Sequence, residues 1–153
     1  MVLKYTKDGI LDPKELILGD EEQAIIDTIK DVSKSYKILM DDFKFSENLV
    51  KIWELVSMAN KYIEKVMPWK LNSENNTKKL LTVLYNLCEV IRCVSVLITP
   101  FMPKTTKKIF FQLGISSEDL KCYSSVGFHD LDKLTNYEIS KEKEILFPRI
   151  EKA

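Results

Sequence analysis

Residues 77–98 read TKKLLTVLYNLCEVIRCVSVLI. Leu80, Leu81, Val83, Leu84, Leu87, Val90, Ile91 and Val94 recur at helical spacing and cover a very wide arc. A helix that apolar must pack on more than one side, so it is read as the central helix of a bundle. Thr99-Pro100 ends it.

The flanking segments supply its partners. Asp20 to about Phe43 reads as a long helix that opens on Asp20, Glu21 and Glu22, where the macrodipole favours acids. Its stripe is Ile25, Ile29, Val32, Tyr36 and Leu39. A second helix is expected from an N-cap at Ser46, with Leu49, Ile52, Trp53, Val56, Ala59, Ile63 and Val66 as its core face. Asn60 falls on that apolar side and would need hydrogen-bond partners. Pro68 stops the helix and pushes Met67 towards extended backbone. Residues 71–77 read as a polar loop. Pro103 opens a shorter helix carrying Ile109, Phe110 and Leu113, with Gly114 as its C-terminal cap. Met1–Thr6 reads as the end of a helix, residues 7–19 as a loop, Ser116–Lys121 as a weak helical turn, and the segment before Pro148 as extended. The expected fold is all-α: one domain over residues 1–153, an antiparallel helix bundle with a short extended C-terminal tail.

Composition narrows the chemistry. Lys plus Arg and Asp plus Glu are both 23, so the formal net charge is zero. That excludes a generic nucleic-acid coat, which would be basic, but permits a local basic face. Cys88, Cys93 and Cys122 have no framework spacing and read as reduced thiols, small buried hydrophobes of a cytoplasmic protein. No signal peptide is evident, and no apolar run reaches the roughly 20 residues of a bilayer span. No catalytic centre assembles: His129 is the one histidine, in a loop without a nucleophile motif. There is no glycine-rich phosphate loop and no metal-ligand spacing. Val32-Ser33-Lys34-Ser35 imitates part of an ATP-site signature, yet it falls inside an amphipathic helix, where that loop chemistry has no place. Lys104, Lys107 and Lys108 read as a solvated face.

The informative stretch is Asn60-Lys61-Tyr62-Ile63-Glu64-Lys65-Val66-Met67-Pro68-Trp69. A tryptophan just past a helix end can leave its ring open and stack on an unpaired base, which contributes roughly 1–3 kcal/mol. Lys61 and Lys65, at intervals of four before Trp69, would set ammonium groups beside a phosphate backbone. Taken alone, a large aromatic here is more often a core anchor.

Several runs together resemble the anticodon-binding domain of methionyl-tRNA synthetases, which are class I aminoacyl-tRNA synthetases. They are Ala59–Glu64 with Met67-Pro68-Trp69, Val83–Leu87, Thr99–Pro103, Lys108-Ile109 with Gln112–Gly114, and Leu146–Glu151. Order and spacing agree from about Phe43 to Glu151, while residues 115–135 match poorly. The resemblance implies a bundle that reads the CAU anticodon of a tRNA. Trp69 would stack on the first anticodon base, Pro68 would hold the ring, Asn60 would be structural, and Glu64 would repel wrong anticodons. It implies a parent ligase that attaches methionine to tRNA using ATP and magnesium. Its catalytic domain is not in this chain, and its further reading Asn and Arg would lie on a helix before Met1. Two other readings remain: the same domain from a leucine, valine or cysteine synthetase, or a helical protein-interaction module. The latter predicts a buried Trp69 and an exposed apolar stripe.

Overall fold

A computed structural model describes residues 1–6, 8–12, 16–17, 19–74, 76–115, 136–142 and 144–148. The expected turn at 116–121, His129, Cys122, Pro13 and Arg149–Glu151 lie outside the described residues. The elements are α1 (Val2–Tyr5), β1 (Ile10–Leu11), α2 (Asp20–Asp41), α3 (Phe45–Val66), α4 (Pro68–Ser73), α5 (Thr77–Ile98), α6 (Pro103–Leu113) and β2 (Tyr137–Glu138).

Helix α5 is central, as its wide apolar arc requires. Fifteen of its 22 residues are buried, and it packs against α2, α3, α4 and α6. By length and composition α5 is also apolar enough to cross a membrane, contrary to the expectation that no such run exists. Most of that apolar surface is buried inside the bundle, and the ion-paired Glu89 and Arg92 sit within it. It is a core helix.

Side-chain contacts fix the helix directions. Glu22 meets Tyr62 and Tyr36 meets Asn48, so α2 and α3 run antiparallel. Glu22 meets Lys79 and the Tyr36 hydroxyl donates to the Leu97 carbonyl at 2.8 Å, so α5 runs parallel to α2. The start of α2, the end of α3 and the start of α5 therefore share one end of the bundle. The stripe of α2 is buried at Ile25, Ile29, Val32 and Tyr36, as its periodicity predicts.

Helix α3 departs from expectation in two ways. It begins at Phe45, with Lys44 at the N-cap position and no side-chain cap, and Ser46 falls inside the first turn. Phe43 takes a left-handed conformation (φ 58°), which reverses the chain early and starts the helix sooner. The expected core face also merges two seams. Asn48, Ile52, Leu55 and Tyr62 are buried. Leu49, Val56, Ala59 and Ile63 are only half-buried, and Trp53 is 52% exposed. Val56, Ala59 and Ile63 face an open groove of about 760 Å³, walled also by Leu84, Leu87, Ile91 and Val94 of α5 and Ile109 of α6, with the short α1 against it, whereas Leu49 and Trp53 border a separate hollow with Lys61.

The segments flanking the bundle contain a two-residue antiparallel ladder, one strand of which lies in residues 7–19, expected to be loop. Ile10 pairs with Glu138 and Leu11 with Tyr137. Tyr137 is held by its ring against Tyr85 (5.5 Å) and by its hydroxyl, which donates to Glu89. Glu89 in turn accepts from Arg92 (Nη2–Oε2 2.6 Å). Gly114 caps α6 as expected, with φ 72°. A Cβ there would lie 1.9 Å from the Glu138 carbonyl oxygen, so only glycine lets β2 cross the end of α6. The C-terminal stretch runs along α6: Gln112 donates to the Glu144 carbonyl at 2.9 Å, and Lys108 pairs with the Glu144 carboxylate.

Candidate nucleic-acid interface

The candidate interface forms at the corner between α3 and α4. Helix α3 ends at Val66, and Met67 turns left-handed (φ 47°, ψ 67°), its N–H donating to the Ile63 carbonyl. The extended backbone expected at Met67 is not found. A left-handed residue closes a helix and still satisfies the restriction before proline, because both avoid the right-handed helical region. Pro68 then starts α4 rather than ending the order: its fixed φ and missing N–H suit a first helical position. Residues 71–73 are consequently helical, and the polar loop shrinks towards Asn76, whose side-chain oxygen caps α5 by accepting from the Lys79 N–H.

This geometry decides the state of Trp69. Pro68 is buried and Leu71 is half-buried against the core, so α4 is held from both sides of the ring. Trp69 itself is 49% exposed. It is not the core anchor that a large aromatic usually makes.

The other candidate residues separate around α3. Asn60, Lys61, Glu64 and Lys65 are all exposed on its last turns. Asn60 lies on the rim of the open groove. It is no buried amide in need of partners, because the seam it belongs to is uncovered. Lys65 points the other way and pairs with Glu21 at the start of α2. Exposed pairs of this kind contribute about 0–1 kcal/mol, so a phosphate can compete for Lys65. Lys61 forms no ion pair among the described residues and stands between the two flanks, on the same face of α3 as Trp53. Lys70 and Lys78, exposed on either side of the remaining connector, add cations that the sequence reading did not pick out.

The sequence reading also passed over the polar node beneath this corner. Glu22 has no exposed surface. Its Oε1 accepts from the Tyr62 hydroxyl (2.6 Å) and from Lys79 Nζ (2.8 Å). Its Oε2 accepts from the Gly19 N–H (2.8 Å). Burial pushes the Glu22 carboxyl up, but the hydrogen bonds from Lys79, Tyr62 and Gly19, with the Lys79 charge, bring it below the usual value. Burial, then the hydrogen bond to and charge of Glu22, drive the Tyr62 phenol far above its usual value. The available signal was the position of Glu22, three residues after Gly19 in a capping box.

Val32–Ser35 lies within α2 with Val32 buried in the core, and among the described residues no cluster of His, Cys, Asp or Glu side chains suits a metal ion. Cys88 and Cys93 are buried thiols in no disulfide, as read from the sequence.

Comparison with known proteins agrees with this geometry. A family described as the anticodon binding domain of methionyl tRNA ligase matches residues 13–153. The chain is 44% identical over 152 residues to a methionine–tRNA ligase of Caldanaerobacter subterraneus subsp. tengcongensis, covering 99% of this chain and 23% of that protein. It is 34% identical to the methionine–tRNA ligase of Bacillus subtilis, covering 99% of this chain and 22% of that protein. Among solved structures, Mycobacterium tuberculosis methionyl-tRNA synthetase in complex with methionyl-adenylate superposes with a TM-score of 0.82 at 29% identity, over 97% of this chain and 28% of that one. The chain thus spans about a quarter of the length of the curated relatives it matches. With the helical bundle and the open tryptophan at its corner, these matches establish that the chain belongs to the family of methionyl-tRNA ligase anticodon-binding domains.

Proposed function

We propose that this domain binds the anticodon loop of a tRNA bearing CAU, with Trp69 as the stacking platform for the first anticodon base. The observation that carries this reading is the half-open Trp69 ring on a corner clamped by buried Pro68. Single-stranded loops expose base faces, and an aromatic ring held open offers a partner for them. Lys61 and Lys65 supply ammonium groups to the loop backbone. Glu64, exposed one turn before Pro68, disfavours anticodons that bring an acceptor edge towards it. Asn60 borders the same surface on the groove side. In the full-length ligase this domain provides tRNA identity, while ATP, magnesium and methionine are handled by residues outside the chain. The setting is cytoplasmic, with which buried reduced thiols agree.

An interaction module without RNA binding predicted a buried Trp69, and the ring is open. That reading also predicted an exposed apolar stripe, and the groove along α3 and α5 is one. We assign the groove to the remainder of the ligase chain. Ile91, 45% exposed on the central helix, is the sort of residue that such a contact would cover.

The test is a titration of the domain, alone and within the full-length ligase, with a CAU stem-loop and with one altered at the first anticodon base. The CAU loop binds at least about tenfold tighter if one stacked and recognised base contributes about 1.4 kcal/mol. Equal binding of both loops, or of neither, overturns the reading.

A further inference from the structure

The arc that carries Trp69 leaves the bundle just after Tyr62 and returns at Lys79. Both feet end on the same oxygen: Glu22 Oε1 accepts from the Tyr62 hydroxyl at 2.6 Å and from Lys79 Nζ at 2.8 Å. Its partner oxygen is pinned to the start of α2 by the Gly19 N–H. We propose that the Glu22 carboxylate is the positioning group of the Trp69 platform, tying together the two feet of the connector and so holding the ring open towards an unpaired base.

This inference rests on the reading of Trp69 given above. Helix α4 has six residues, too few to be stable alone, because forming the first turn is unfavourable. Its orientation is therefore inherited from its feet. A fully buried carboxylate is costly unless its lone pairs meet donors, and here three donors from three places in the chain converge on it. Apolar side chains of similar volume would pack the helices at least as well. What the charged node adds is direction, since its hydrogen bonds are met in one arrangement of the three helix ends only. The exposed Lys65–Glu21 pair lies one turn further along α3 and supports the same alignment.

The experiment uses the 153-residue chain with Trp53→Phe, which leaves Trp69 as the only tryptophan. Tyr62→Phe, Lys79→Met and Lys79→Arg are compared by acrylamide quenching and anisotropy of Trp69 in the free protein. Affinity for a CAU stem-loop is measured alongside, all well below each melting temperature. Tyr62→Phe and Lys79→Met should each change the quenching and weaken binding about tenfold, the loss expected when the competent fraction falls to about a tenth. Lys79→Arg should restore most of both. The salt dependence of binding should stay as it was, because no phosphate contact is removed. A lower melting temperature with unchanged Trp69 signal and unchanged affinity overturns the proposal. Should Tyr62→Phe fail to fold, Lys79→Met decides, its side chain being partly solvated. A parent chain that ignores the stem-loop sinks the RNA reading instead. The signal of free Trp69 still decides the positioning role: moved by Lys79→Met it stands, unmoved it falls.

Discussion

Trp69→Ala separates a stacking platform from a core residue because the chain contains its own control. Trp53 and Trp69 are the two tryptophans, 52% and 49% exposed. Removing a fully buried tryptophan costs about 3–5 kcal/mol. At half burial each substitution should cost about 2 kcal/mol, and a domain of this size loses about 2–4 °C of melting temperature per kcal/mol. Both variants should therefore melt some 4–8 °C lower by that relation. Binding should split them. Trp53 lies 13 residues before the end of α3, about 20 Å along the helix axis at 1.5 Å per residue. Its loss should leave affinity for a CAU stem-loop within about twofold, as expected of a residue outside the contact. Trp69→Ala should forfeit a stacked base, about 1–3 kcal/mol, or roughly 5- to 150-fold in Kd. Calorimetric melting and fluorescence-anisotropy titration at fixed salt give both readings. Equal affinity losses for the two variants, or a large melting shift for Trp69→Ala with intact binding, would refute the argument.

Other outcomes follow from the same structure. Ile91→Glu should be nearly neutral in the 153-residue chain, within about 0.5 kcal/mol. It should cost more than about 2 kcal/mol in the full-length ligase if the groove is covered there, as thermal melts of the two proteins would show. Arg92→Ala removes a side chain with no exposed surface and leaves Glu89 buried without its cation. Denaturant unfolding should report a loss of about 3–5 kcal/mol, with faster hydrogen exchange at Tyr137. At high pH, burial holds Tyr36 up to about 12, and burial with the charge and hydrogen bond of Glu22 or Glu89 raises Tyr62 and Tyr137. Their contribution is complete below the unfolded phenol value of about 10 and is lost as pH rises beyond it. At low pH the lowered Glu22 contributes above the usual carboxylate value, and that contribution is lost as pH falls through its folded value. Ultraviolet titration and pH-dependent melts check both limbs.

Periodicity made the bundle legible. The wide arc of α5 and the regular stripe of α2 depend on repeated apolar spacing, which tertiary context reinforces. The face of α3 was misjudged because spacing shows which residues are apolar, not which of two adjacent seams has a partner. Val56, Ala59 and Ile63 have the right pattern for a core and line an open groove instead. The end of α3 before Pro68 was legible, but the helix that Pro68 opens was not, because proline both ends helices and begins them. Only the left-handed turn at Met67 shows that it does both here. The exposure of Trp69 was not legible from its own neighbours, and the matching runs alone pointed to it. The β1–β2 ladder and the Glu22–Tyr62–Lys79 node escaped notice because they join residues up to about 128 positions apart, a distance over which local pattern carries no information.

The most direct test of the account follows the indole itself. In the Trp53→Phe chain, a CAU stem-loop is added while Trp69 fluorescence and an independent binding signal are recorded together. The account predicts saturable, one-to-one quenching of Trp69 that tracks binding, and loss of that quenching when the first anticodon base is replaced by an abasic site. Tight binding with no change in Trp69 emission would contradict it.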